Sequence, residues 1–292
     1  MFSIVKNYKI FFSITIIFLL IGFGSIVTRG FNLGIDFTGG SIVDLTFENP
    51  VNVAQVRDVL KEHDMGNSII QLENSDGKTE ANSVLIRTGV VEDTELRATM
   101  NNDLQSKLGN YQIQRVEQVG ATIGSELVQQ AAMAIVLSWV LMIAYITFRF
   151  EFKFAIAAII ALIIDVLVVL SYFSLFQMEM DSSFVAALLT VVGYSVNGTI
   201  VIFDRIRENL KIHRRSESLG EMVDNSIWQC MTRTIYTVAT SLFAIVSIFL
   251  FGGETIHNFS FSMLVGFASG AYTSIFLAGP MWMFLKNKKI GI

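Results

Sequence analysis

Apolar runs of membrane-crossing length recur through the chain, separated by short charged breaks. One long stretch near the N-terminus follows a different rhythm. The first run, Ile10–Thr28, follows Lys6 and Lys9 and is long enough for a helix to cross hydrocarbon. A signal peptide would have a shorter apolar region and a small-residue cleavage site. Gly22-Phe-Gly24 is a poor one, so the run is expected to stay as an anchor. Five further runs come later: Val128–Phe148, Phe154–Phe176, Phe184–Phe203, Thr232–Phe251 and Phe259–Phe284. Between the fourth and fifth, Glu217–Trp228 has an amphipathic pattern and is expected to lie along the membrane surface.

The intervening stretch has short periods. Ser41–Glu48 alternates apolar and polar residues, a strand signal, and Asn49-Pro50 is expected to end it. Val53, Val56 and Leu60 share one helical face. Ser68–Leu72 and Ser83–Arg87 read as strands joined by a turn at Asn74–Gly77. Thr94–Leu108 reads as a second helix, and Tyr111–Val119 as a last strand. The order β-α-β-β-α-β is the ferredoxin-like arrangement, which implies no function by itself. The expected fold is a polytopic α-helical membrane protein of six transmembrane helices, with an α+β ferredoxin-like domain between helices one and two. Residues 1–28 form the first transmembrane helix, 29–126 the α+β domain, and 127–292 a five-helix transmembrane domain with a basic loop at 204–231.

Composition agrees: 52% of residues are hydrophobic and 16% charged, against about 25% charged in soluble domains. The net charge of −4 is less informative than its sorting by side. Basic residues gather at the N-terminus, at Arg149 and Lys153, between Arg205 and Arg215, and at Lys286–Lys289. These lie on one side of a six-span chain. The positive-inside rule makes that side cytoplasmic, with both termini, and puts the α+β domain outside. The single Cys230 excludes an internal disulfide. His63, His213 and His257 are scattered, with no metal-ligand spacing, and no phosphate loop or nucleophile elbow appears. No cofactor, no metal, no nucleic acid and no enzymatic activity are expected.

Polar residues inside spans are the remaining candidates for function, because they are costly in hydrocarbon. The run Thr190–Asn209 is interrupted by Gly193, Ser195, Asn197, Gly198 and Thr199, either a helix-packing face or the lining of an ion path. Asp165 is the carboxylate in mid-span, with a structural hydrogen-bonding role and an ion-path role both open. Arg233, Thr237 and Thr240 make one polar stripe, whose arginine either snorkels to headgroups or meets a buried partner. Gly266, Gly270, Ser274 and Ala278 fall four apart, a small-residue face for close packing or assembly. Asp36, Gly39 and Gly40 mark a turn or a close approach to another chain.

Three segments carry a resemblance: Phe31–Gly40, Val119–Leu127 and Gly193–Asn209, the last ending in the charged tail Asp204–Glu208 and its asparagine. Together they resemble the SecD/SecF family of protein-export membrane subunits, similar to the resistance-nodulation-division exporters. The resemblance implies an auxiliary subunit of the Sec protein translocase in the bacterial cytoplasmic membrane. It would use the proton motive force to promote polypeptide export. Implied partners are SecD, the Sec channel (SecY, SecE and SecG), SecA and exported polypeptides, in a lipid membrane. It makes Arg233 the match to an essential arginine beside a proton-carrying aspartate. The chain departs from the pattern at that aspartate, where it has Gly198, and at Ile164, where the family has histidine before Asp165. Asp165 with Arg233, a partner's groups, or loss of coupling are the open consequences. Alternative readings are a small-molecule or lipid exporter half, and a non-conducting scaffold for SecD.

Overall fold

The computed structural model describes residues 2–66, 68–73, 79–89, 94–212, 217–253 and 256–287. It divides into two compact units, Met1–Asn32 with Ala131–Ile292, and Leu33–Gln130. In chain order the elements are α1 (Tyr8–Arg29), β1 (Asn32–Leu33), α2 (Ile35–Thr38), β2 (Gly40–Asn52), α3 (Val53–Lys61), β3 (Ile69–Glu73), β4 (Glu80–Thr88), α4 (Thr94–Leu108) and β5 (Tyr111–Val119). Then come α5 (Ala121–Arg149), α6 (Phe152–Phe176), β6 (Glu179–Met180), α7 (Ser182–Ile212), α8 (Leu219–Phe251), α9 (His257–Tyr272), a π-helical segment Thr273–Ala278 and α10 (Gly279–Asn287).

The smaller unit holds a four-stranded antiparallel sheet in the order β3-β4-β2-β5. Its core packs Leu45, Phe47 and Val84 of the sheet against Val56 and Leu60 of α3 and Leu104 of α4, all essentially without solvent contact. Asn52 starts α3 through a capping box: Gln55 N donates to Asn52 Oδ1 at 2.9 Å and Asn52 N to Gln55 Oε1 at 3.0 Å. His63–Asp103 at 2.9 Å and Lys107–Glu62 at 2.5 Å tie α3 to α4. Strand β2 runs on through Pro50 to Asn52 rather than stopping there. Its pairing with β4 shifts register between Thr46 and Val51, so the proline's missing donor falls at an irregularity. The turn expected at Asn74–Gly77 lies outside the described residues.

The larger unit is helical. Six of the described helices are long and apolar enough to cross a membrane. A helix is suited to that solvent because it satisfies its own backbone groups. Helix α6 is the most enclosed, with Phe154, Ala155, Ala158, Leu162 and Val169 buried. Helix α1 lies on it: Ser25 Oγ and Ser174 Oγ are 3.0 Å apart, and a Cβ on Gly22 would overlap Ser171. The part of α5 in this unit, residues 131–149, is exposed or half-buried apart from Ile146.

Two expectations are corrected. The amphipathic stretch Glu217–Trp228 is not a separate surface helix, because Leu219–Phe251 is one helix of 33 residues. Ser218 caps its start, and Met222, Val223, Ser226 and Ile227 are buried. Within the interval 204–231, α7 reaches Ile212 and α8 begins at Leu219, so most of its described residues are helical. Helices outlast their apolar runs because leaving hydrocarbon removes no backbone hydrogen bond. The last span is also less regular than its sequence. Pro280 lacks the N–H that an α-helix would use there, and the π-helical turn lies just before it.

Candidate functional site

Asp165 sits at the centre of the helical unit with no solvent contact. Three hydroxyls from neighbouring segments surround it. Ser195 Oγ of α7 donates to Oδ2 at 2.5 Å, and Ser269 Oγ of α9 to Oδ1 at 2.6 Å. Thr273 Oγ1, the first residue of the π-helical segment, lies 2.9 and 3.0 Å from the two oxygens. A polar group buried this deeply is tolerated because its hydrogen bonds are made. No cation is among its partners in the described residues.

The close approach of α7 and α9 makes this geometry possible. A Cβ on Gly270 would lie 2.9 Å from the Ser195 Cβ, and one on Gly266 would overlap Val191. Ser274 is buried too; its Oγ is 2.9 Å from Thr199 Oγ1 and donates to Ser195 O at 3.5 Å. The small-residue stripe is therefore occupied inside the chain. Gly266, Gly270 and Ser274 pack on α7, and their faces are not left open for a partner subunit.

A second polar group lies between α7 and α8. Asn197 and Gly198 of α7 and Arg233 and Thr237 of α8 line one open cavity of about 60 Å³, enough for several waters. Tyr194 closes one side, stacked on Phe267 at 3.8 Å and donating from its hydroxyl to Thr237 O at 3.0 Å. Thr237 Oγ1 donates to Arg233 O at 2.8 Å. The Arg233 side chain is exposed and makes no ion pair among the described residues. Gly198 stands between the two groups. It lines the cavity, and a Cβ on it would lie 3.1 Å from Ser274 Oγ.

The structure thus brings four of the five ion-path candidates, Asn197, Gly198, Arg233 and Thr237, to one cavity. The fifth, Asp165, belongs to the hydroxyl cluster behind Gly198. Asp36, Gly39 and Gly40 belong to the smaller unit. Asp36 is in the first turn of α2, and Gly39, at φ 71°, ends that turn with its N–H on Ile35 O at 2.8 Å. Gly40, at φ 142°, has its Cα so near Thr88 O that a Cβ would be 2.7 Å away. Ser269 and Thr273 escaped the sequence reading. Their spacing of four, which puts both on one face of a helix, was the available signal.

Residues 99–288 match the family described as protein export membrane protein SecD/SecF, C-terminal, and residues 24–51 match the SecD/SecF GG motif. The protein translocase subunit SecF of Acidaminococcus fermentans is 65% identical over 98% of this chain and 98% of its own. This chain belongs to the SecF family of protein translocase subunits. The SecF of Sebaldella termitidis is 39% identical, covering 98% of this chain and 92% of that one. Among solved structures, SecDF from Thermus thermophilus superposes with a TM-score of 0.88 at 31% identity, over 98% of this chain. A SecDF crystal structure in a super-membrane-facing form gives 0.71 at 32% identity. The chain spans 39% of the length of each of those SecDF chains. Within the family, Gly39 and Gly40 fall inside the matched GG motif, and both polar clusters fall inside the matched C-terminal region. The protein is a multi-pass membrane subunit of the protein translocase.

Proposed function

We propose that this subunit works with SecD to use the proton motive force in promoting polypeptide export through the Sec channel (SecY, SecE and SecG) loaded by SecA. The observation that carries the reading is the cavity that Arg233 shares with Asn197 and Gly198. An exposed arginine within an apolar span, without a carboxylate of its own, needs a polar neighbour. Six spans are half of a resistance-nodulation-division unit, and the SecDF structures carry more chain than this one. SecD is the natural source of that neighbour, docking along the face of Arg233, Thr237 and Thr240 rather than along the glycine stripe. Helix movement driven by one charge crossing about 100 mV has roughly 2.3 kcal/mol available. No covalent chemistry on the polypeptide is involved.

The smaller unit is then a ferredoxin-like domain outside the cytoplasm. Its strand order and two helices support this reading, and so does the charge sorting, which assigns both termini to the cytoplasmic side of the cytoplasmic membrane. Gly198 favours one rival, a non-conducting scaffold for SecD, because glycine cannot carry a proton. Proteoliposomes exporting a reporter protein under an imposed proton gradient separate the two. Gly198→Asp puts a carboxylate beside Arg233, which favours its ionised form, and needs only a small shift of the Ser274 hydroxyl. The expected result is higher gradient-dependent export for Gly198→Asp, with the gain removed by adding Arg233→Leu. Export in the parent that ignores the gradient, unchanged by either substitution, leaves the scaffold reading standing.

A further inference from the structure

Near the last turns of α5, α7 and α10, three cations lie on aromatic rings and make no ion pair among the described residues. The Arg149 guanidinium lies 5.5 Å from the centre of the Phe150 ring and that of Arg207 lies 5.6 Å from the same ring. Arg207 Nη1 also donates to Arg149 O at 3.2 Å, which holds the α7 arginine against the α5–α6 turn. Phe150 continues into Phe154 at 6.0 Å, and Phe154 stacks on Trp282 at 4.6 Å. Lys286 Nζ sits 4.9 Å from the Trp282 ring, a third cation in the same layer. These are cation–π distances.

No described carboxylate pairs with any of the three. Glu208 pairs with Arg205 at 2.7 Å, and Glu151 makes no ion pair with either arginine. The same turn presents Phe148, 93% exposed, and Phe152, 51% exposed. Guanidinium forks beside bare aromatic side chains match the boundary between phosphate headgroups and acyl chains. Arginine's planar fork suits phosphate oxygens better than a point charge does. We propose that Arg149 and Arg207, braced on Phe150, bind the phosphate group of an anionic phospholipid. Phe148 and Phe152 lie against its acyl chains, and Lys286 adds to the attraction. A free phosphate would use the same forks but would gain nothing from the two exposed phenylalanines.

Native mass spectrometry of the full chain, titrated with phosphatidylglycerol or phosphatidylcholine, tests this. The parent is expected to retain phosphatidylglycerol in preference to phosphatidylcholine. Each cation at an anionic surface contributes about fivefold, so R149Q/R207Q should weaken phosphatidylglycerol retention about twentyfold or more. R149K/R207K, which keeps the charge and loses the fork, should fall between. Inorganic phosphate at millimolar concentration should not displace the lipid. Equal retention of the two lipids by the parent, unchanged retention in R149Q/R207Q, or full displacement by inorganic phosphate each overturns the proposal. If R149Q/R207Q does not yield folded protein, R207Q alone decides, with a loss of about fivefold expected and no loss counting against it.

Discussion

Asp165 and Arg233 are an acid and a base in one helical bundle, yet they do not meet. Each has its own company: three hydroxyl donors for the carboxyl group, and a cavity with room for several waters for the guanidinium. Gly198 lines the cavity and faces Ser274, whose hydroxyl donates to Ser195 O beside the other group. Removing the acceptor from the first group has a direct consequence. Asp165→Ala leaves Ser195, Ser269 and Thr273 aimed at a void, and each buried hydroxyl left unpaired costs about 1–3 kcal/mol, less where it can rotate to a backbone carbonyl. Asp165→Asn keeps the shape and one acceptor oxygen. Thermal unfolding in detergent should therefore place Asp165→Ala clearly below the parent, with Asp165→Asn between. An alanine variant as stable as the parent would show that the hydroxyls do not depend on the carboxylate.

Helix α9 and the π-helical segment after it approach α7 closely through Gly266, Gly270 and Ser274, which carry little or no side chain. A stripe of this kind in a sequence suggests an interface, but not with which helix. Here the neighbour is α7 of the same chain, through Val191 and Ser195. Gly266→Leu should then destabilise the isolated chain, with no partner present, by at least the 1–3 kcal/mol usual for overpacking. Size-exclusion chromatography and thermal unfolding of the purified protein would register it. Unchanged stability would mean that α7 and α9 separate at little cost. Helix α8 shows the same ambiguity in another form. Its amphipathic start and its apolar body read as two elements, and only their shared axis makes them one.

For the molecule as a whole, the governing asymmetry is charge. Lys6, Lys9, Arg149, Arg207 and Lys286 border the ends of spans that an alternating chain puts on one side. A reporter enzyme inserted between Glu73 and Glu80, in the smaller unit, should be active only outside the cytoplasm. One inserted between Ile212 and Leu219 should be active only inside. Reversed activities would overturn the orientation and with it the side on which the smaller unit works. The result bears equally on the lipid site, which needs the leaflet facing the cytoplasm to be the anionic one it samples.

Local pattern was enough for most of the elements, though not for the single helix Leu219–Phe251 or for the run of β2 through Pro50. Apolar runs of membrane length mark the spans because hydrocarbon leaves the backbone no partner but itself. Alternation and four-residue spacing mark the strands and helices of the smaller unit because one face of each is buried. The residues Asn197, Gly198, Arg233 and Thr237 were also visible as polar interruptions of spans, and Asp165 as a carboxylate in mid-span. Which of them share a space was not visible. Residues 198 and 233 are separated by a charged break, and 165 and 273 by more than a hundred positions. Side-chain contact between helices depends on their rotation and separation, which no one-dimensional period encodes. Tertiary packing alone decided that Asp165 meets hydroxyls and not Arg233, that the glycine stripe is filled from within, and that two arginines from different helices share one phenylalanine ring.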